Sequence, residues 1–114
     1  MGYNIISVEE ALNYPEQIPE AANVKIELKF IDSLNGSHIY YKAADTGFHN
    51  DEQRAYTLNK GKIKIENGKA TLRLFPIGVY KQHWNNYNYS RKHIHYRIIY
   101  PDQTLSEVFT IYVD

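Results

Sequence analysis

At 114 residues the chain is long enough for one domain around one core, and 43% hydrophobic content with no long block of like charge marks it as folded rather than disordered. Thirteen Lys and Arg balance thirteen Asp and Glu, so there is no electrostatic footprint for a nucleic acid or an anionic membrane. The absence of cysteine excludes disulfides, thiolate metal sites and a Cys nucleophile, and leaves His, Tyr and carboxylates as the side chains able to hold a metal.

Residues 1–23 form an N-terminal arm. Ser7-Val8-Glu9-Glu10 is a capping box, with Ser7 at the cap and Glu10 three residues on. It predicts a short helix over 8–13, which Pro15 ends, because a residue before proline avoids helical angles. No apolar run approaches the ~20 residues of a membrane helix. The first residues also lack the basic and apolar regions of a signal peptide. The expected location is the cytoplasm or a virion. The wealth of Asn, Ile, Lys and Tyr, whose codons are AT-rich, fits an AT-rich bacterial, phage or large viral genome.

From Val24 the period changes to two. Val24, Ile26, Leu28 and Phe30 alternate with Lys25, Glu27 and Lys29, as in a strand with one buried side. Asn35-Gly36 turns the chain into a second strand over 39–43, and a polar loop over 44–53 follows. A weak strand is expected over 55–58. Strands over 62–66 and 70–75 flank Asn67-Gly68 as a hairpin, with Ile63, Ile65, Leu72 and Leu74 facing inward. A long polar and aromatic loop over 81–92 leads to a strand over 93–100. Pro101-Asp102-Gln103 then turns into a last strand over 105–113. About seven short strands joined by turns predict an all-β domain over 24–114, an antiparallel β-sandwich.

Chemistry concentrates between Phe75 and Tyr100. His93 and His95 are two apart on a strand, so their imidazoles share one face, and two imidazoles on one face suit a first-row metal. Arg91 precedes them and offers a planar, charge-assisted contact to an anion. Tyr80 is a candidate phenolate ligand, since a metal cation favours the ionised form of a phenol. Each also has a plain structural reading: a half-buried His pair, a solvated Arg, a packed Tyr. The loop residues His83, Trp84, Tyr87 and Tyr89, with three asparagines among them, suit stacking on a ring or sugar and equally suit a protein interface. There is no G-x-S-x-G elbow, phosphate-cradling glycine loop or H-E-x-x-H helix.

Arg91-Lys92-His93-Ile94-His95-Tyr96 resembles the R-P-x-H-I-H-F segment of the intradiol ring-cleavage dioxygenases, with Lys92 where that family has Pro. Pro76-Ile77-Gly78-Val79-Tyr80 resembles the family's P-G-x-Y, with one extra residue, and Tyr80 lies thirteen residues before His93, the family's spacing. The stretch from Ile39 to Gly47 is similar to its V-x-I-W-x-A-D-x-x-G strand, and Phe109-Thr110-Ile111-Tyr112 to its L-T-x-x-Y strand. The resemblance implies a β-sandwich that holds non-haem Fe(III) through Tyr80, His93 and His95. It implies a catechol-type substrate, with Arg91 stabilising charge that develops on the ring. The family's fourth ligand is a second Tyr shortly after the glycine. Here Gly47-Phe48-His49 stands there and the next Tyr is Tyr56, so His49 is the expected substitute.

Three readings stay open: an intradiol-like metalloenzyme; a β-sandwich that keeps the constellation but serves as a structural or interaction subunit of a particle or homo-oligomer; and a ring- or sugar-binding module built on Trp84, Tyr87 and Tyr89.

Overall fold

The computed structural model describes Tyr14 and residues 22–113, and the helix expected over 8–13 lies outside them. The fold is all-β. Nine strands are described: β1 (Val24–Lys29), β2 (His38–Ala43), β3 (Phe48–His49), β4 (Lys60–Lys64), β5 (Lys69–Leu74), β6 (Val79–Gln82), β7 (Asn88–Tyr89), β8 (His93–Ile99) and β9 (Phe109–Tyr112). Short 3-10 turns at Asp32–Leu34 and His83–Asn85 are the described helical pieces.

β1 pairs antiparallel with β5, from Val24 opposite Leu74 to Lys29 opposite Lys69. A second sheet has the order β4-β2-β8-β9, all antiparallel. The alternation read in β1 survives as half-buried Val24, Ile26 and Leu28 against exposed Lys25, Glu27 and Lys29. Those residues pack with Leu72 and Leu74 of β5 against Ile39, Tyr41, Ala43, Ile94, Tyr96 and Ile111 of the larger sheet. Two sheets thus bury their apolar faces on each other, which is how a strand with one apolar side satisfies it. Ile63 is half-buried at the core's margin, whereas Ile65 is fully buried.

The turn at Asn67-Gly68 forms as expected, with both residues at positive φ (54° and 70°) and Glu66 and Lys69 exchanging backbone hydrogen bonds of 3.0 Å. The two strands then part: β4 joins β2 and β5 joins β1. The expected hairpin is therefore a corner that carries the chain from one sheet to the other.

Other stretches also differ from the sequence expectation, and the last strand, expected over 105–113, is confined to Phe109–Tyr112. Residues 55–58 form no strand; they are a turn fastened to Asp45, described below. The loop over 81–92 holds structure of its own, because β6 pairs antiparallel with β7 and in parallel with β3, Phe48 opposite Val79 and His49 opposite Tyr80. These segments, with the excursion between β2 and β4, hold the chain over the outer face of the larger sheet.

Candidate metal centre

That outer face takes the alternate residues of the strands whose other set fills the core. Register places Lys42 opposite His95, Thr110 opposite His95, and Tyr112 opposite His93. His93 is buried and His95 half-buried, with ring centroids 4.7 Å apart and planes at 77°. The pair predicted from spacing is thus side by side.

Each imidazole is oriented by a partner on one nitrogen. His93 Nδ1 lies 2.6 Å from the Arg91 carbonyl oxygen, which can only accept, so Nδ1 carries the proton and Nε2 presents a lone pair. His95 Nδ1 lies 3.0 Å from Thr110 Oγ1. Such contacts on the far nitrogen fix tautomer and ring plane in metal-binding histidines.

Tyr80 reaches the same point from β6. Its backbone is held by Ser90, whose Oγ accepts from Tyr80 N–H at 3.2 Å and whose N–H donates to Tyr80 O at 2.8 Å. The side chain is buried, and its hydroxyl sits 3.0 Å from His93 Nε2, to which it donates.

The third oxygen belongs to Tyr56. Its hydroxyl donates to Tyr80 Oη at 3.3 Å and lies 3.4 Å from His93 Nε2. Three donor atoms thus form a triangle with edges of 3.0 to 3.4 Å. Atoms bound to one small cation at about 2.0–2.1 Å are separated by about 2.9–3.4 Å, so these edges are compatible with a shared cation as well as with the hydrogen bonds that span them. The Tyr56 ring is also 6.3 Å from the His95 ring.

His49 is not in this group. Its Nε2 lies 2.7 Å from the Asp45 carbonyl oxygen and donates to it, which ties the ring to its own turn. Among the described residues no three His, Asp or Glu side chains come together closely enough to hold a metal, so a third imidazole does not complete the pair. Phe48 is 78% exposed, its ring edge-on to Tyr89 at 5.2 Å. Tyr41 is a packed core residue, its hydroxyl donating to Arg73 O at 3.0 Å. Tyr56 escaped the sequence reading because 55–58 has no metal-ligand spacing to any other residue. The signal that could have found it is that Tyr56 is the next Tyr after Gly47, where the resemblance calls for a second Tyr.

Burial sets the electrostatics. It pushes the Tyr80 phenol up to about 12, opposed by the hydrogen bond received from Tyr56 and reinforced by Glu52 and Tyr112. Burial pushes Tyr56 further in the same direction, with Tyr80 and Glu52 adding to it. His95 is pushed down to about 4, first by burial and then by His93 and the Lys42 ammonium. Without a cation the site is therefore neutral phenols and a neutral His95. A bound cation would reverse the balance for the phenols.

A cleft of about 410 Å³ opens over Tyr80, His93 and His95, lined among others by Glu52, Trp84, Tyr89, Arg91, Thr110 and Tyr112. The Arg91 guanidinium stacks on the Tyr112 ring at 4.3 Å, and Trp84 is 62% exposed at the rim. Arg91 therefore lies on the cleft wall with the His pair, as the sequence suggested.

No family model matches the chain, and neither a curated protein nor a solved structure matches it.

Proposed function

We propose that this protein is a mononuclear metal-binding β-sandwich, with Tyr56, Tyr80, His93 and His95 as the ligands and Fe(III) as the metal, acting on a catechol-type aromatic. The observation that carries the reading is the triangle of Tyr56 Oη, Tyr80 Oη and His93 Nε2, with edges of 3.0 to 3.4 Å, of which Tyr80 and His93 also line an aromatic-walled cleft. Two phenols and two imidazoles give the mixed oxygen and nitrogen donor set that suits iron. Bound there, ferric iron supplies Lewis acidity and a one-electron couple for oxidising a phenolic ring with O₂.

The protein's own part is holding, orienting and moving protons. The Arg91 carbonyl and Thr110 fix the two imidazoles. Tyr80 is the phenol more readily ionised, because Tyr56 donates a hydrogen bond to its oxygen. Ionised beside a bound cation, Tyr80 would be suited to take a proton from an incoming hydroxyl and hold it at Oη. Tyr112 and Trp84 offer ring faces to an aromatic, and Arg91 offers positive charge to an anionic form of it.

The test is a ferric titration of metal-free protein. Binding of one equivalent with a visible tyrosinate band is expected, changed in energy or intensity by Tyr56→Phe and by Tyr80→Phe and abolished by His95→Ala. A protein that stays colourless and retains no iron sinks the reading. Loaded protein is then offered catechols with O₂, and consumption of both is expected.

The exposure of Trp84, Tyr87 and Tyr89 at the rim favours a second reading, a module that binds rings or sugars without chemistry. Under it, Trp84→Ala weakens binding in a glycan or phenol screen while iron is irrelevant. The third possibility, a structural subunit of a homo-oligomer, predicts assembly by light scattering in the metal-free protein.

A further inference from the structure

Tyr56 and Tyr80 lie 24 residues apart in sequence and on separate segments, yet their hydroxyls meet at 3.3 Å. What brings them together is the stretch between β2 and β3. Asp45 lies at its centre, and its carboxylate is spent on the chain just after Tyr56. Oδ1 accepts from Leu58 N–H at 2.9 Å and Asn59 N–H at 3.0 Å, and Oδ2 accepts from Thr57 N–H at 3.1 Å and from the Thr57 hydroxyl. The backbone of the same residue holds the chain just before Tyr56, its N–H donating to Ala55 O at 2.7 Å. Tyr56 is therefore gripped on both sides by one residue.

The same stretch also sets Tyr80. Gly78 N–H donates to Ala44 O at 3.1 Å and Val79 N–H to Gly47 O at 2.9 Å, one on each side of Asp45. A Cβ at position 78 would collide with the carbonyls of Asp45 and Gly47, so the glycine is what lets the strand of Tyr80 lie this close. Asn59 closes the assembly, its amide donating to Ala44 O at 3.2 Å and to Phe75 O at 3.0 Å and accepting from Phe75 N–H at 2.9 Å.

We propose that Asp45 is the positioning residue of the phenol pair, its carboxylate and backbone together setting the Tyr56 hydroxyl against Tyr80 and His93. This rests on the reading of the two phenols as metal donors, but the positioning itself can be read without metal. Asp45 touches neither the metal-binding atoms nor the cleft. It acts through the turn that carries Tyr56. Each hydrogen bond to its carboxylate is charge-assisted, and three from backbone amides and one from a hydroxyl converge here.

The experiment uses metal-free full-length protein labelled with 3-fluorotyrosine, the Tyr56 ¹⁹F resonance being identified by its loss in Tyr56→Phe and the Tyr41 resonance by its loss in Tyr41→Phe. In Asp45→Ala the Tyr56 resonance is expected to collapse to the solvent-exposed position while Tyr41, in the core, keeps its own. Asp45→Asn retains one acceptor oxygen and should give a smaller displacement, and Thr57→Val, which removes one donor, a smaller one still. If Asp45→Ala does not fold, the last two variants carry the decision. A Tyr56 resonance unmoved in all folded variants, or one that moves only together with Tyr41, overturns the proposal.

A second arm measures ferric affinity. Asp45→Asn is expected to weaken it by about 10–100-fold, as loss of outer support does, with a residual band like that of Tyr56→Phe. If the wild type binds no iron, the metal reading falls, and the fluorine spectra still decide the positioning role. Wild-type affinity retained in Asp45→Asn, in a protein that does bind iron, also overturns it.

Discussion

Along β8, Ile94 and its neighbours His93 and His95 point to opposite sides of one sheet, and the two sides differ in kind. On the inner side Ile94 is fully buried among Ile39, Tyr41, Leu72 and Leu74, and any apolar side chain of similar volume would serve. On the outer side every group near His93 and His95 is polar or aromatic and each has a directed partner: Arg91 O, Thr110, Tyr56, Tyr80. The inner face stabilises the fold and specifies little chemistry. The outer face, which hydrophobic burial alone would leave to water, is covered by loops and holds donors in fixed positions. The sharpest separation of the two is Ile94→Ala. Removing a fully buried Ile costs about 2–5 kcal/mol, which a denaturant midpoint reads. Ferric affinity measured well below the transition should stay within a few-fold of wild type. A large loss of affinity in a protein that remains folded would mean that the two faces are coupled through the strand.

How far each face could be read from sequence follows the same division. Alternation with a period of two made Val24, Ile26 and Leu28, and the inward Ile65, Leu72 and Leu74, legible, because a strand with one buried side writes its geometry into residue order. His93 and His95 are legible by their spacing on one strand, and the place of Tyr80 beside them follows from the resemblance to the P-G-x-Y segment thirteen residues earlier. Tyr56 is not legible by spacing, because its place depends on amide donors in a turn and a carboxylate at Asp45, more than ten residues apart and without periodicity. Position after Gly47 points to His49 for the gap, and a backbone carbonyl claims its ring instead. Residues 55–58 read as a weak strand for the same reason: propensity favoured extension, and the Asp45 carboxylate holds them as a turn.

Gly78→Ala tests the join between the faces. The added methyl group meets backbone carbonyls rather than a movable side chain, so Asp45–Gly47 or the start of β6 must shift. A cost of about 1–3 kcal/mol is expected, typical of an extra carbon forced into a packed site. Unlike Ile94→Ala, this change should also separate the phenols, seen as loss of the tyrosinate band or of the Tyr56 fluorine shift. A variant that loses stability but keeps both signals would show that the phenols are held independently of the close approach.

Acid should act on the outer face before the inner one. In metal-free protein His95 is held down to about 4 from an ordinary 6.5, by burial first and by His93 and Lys42 after it. The folded state therefore binds that proton less readily than the unfolded chain. Its contribution to stability is complete above about pH 6.5 and is lost as pH falls through 6.5 toward 4, with a slope of up to about 1.4 kcal/mol per pH unit. His95→Gln should flatten that part of the profile. An unchanged slope in the variant would assign the acid sensitivity elsewhere.

The smallest effect expected comes from a polar group on the inner face. Tyr41 is 2% exposed, and its hydroxyl donates to Arg73 O at 3.0 Å and accepts from Arg73 N–H at 3.3 Å, linking β2 of one sheet to β5 of the other. Burial, opposed by the Arg73 contacts, pushes this phenol up, so it stays neutral and both contacts persist across the ordinary pH range. Tyr41→Phe keeps the ring and its packing and removes only the oxygen, leaving a carbonyl and an amide on β5 to find other partners. The expected loss is about 0.5–1.5 kcal/mol, the net worth of an ordinary hydrogen bond, with ferric binding untouched. A loss several times larger would mean that Arg73 N–H and C=O are stranded without water once the hydroxyl is gone. The inner face would then depend on a directed contact after all, as the outer face does.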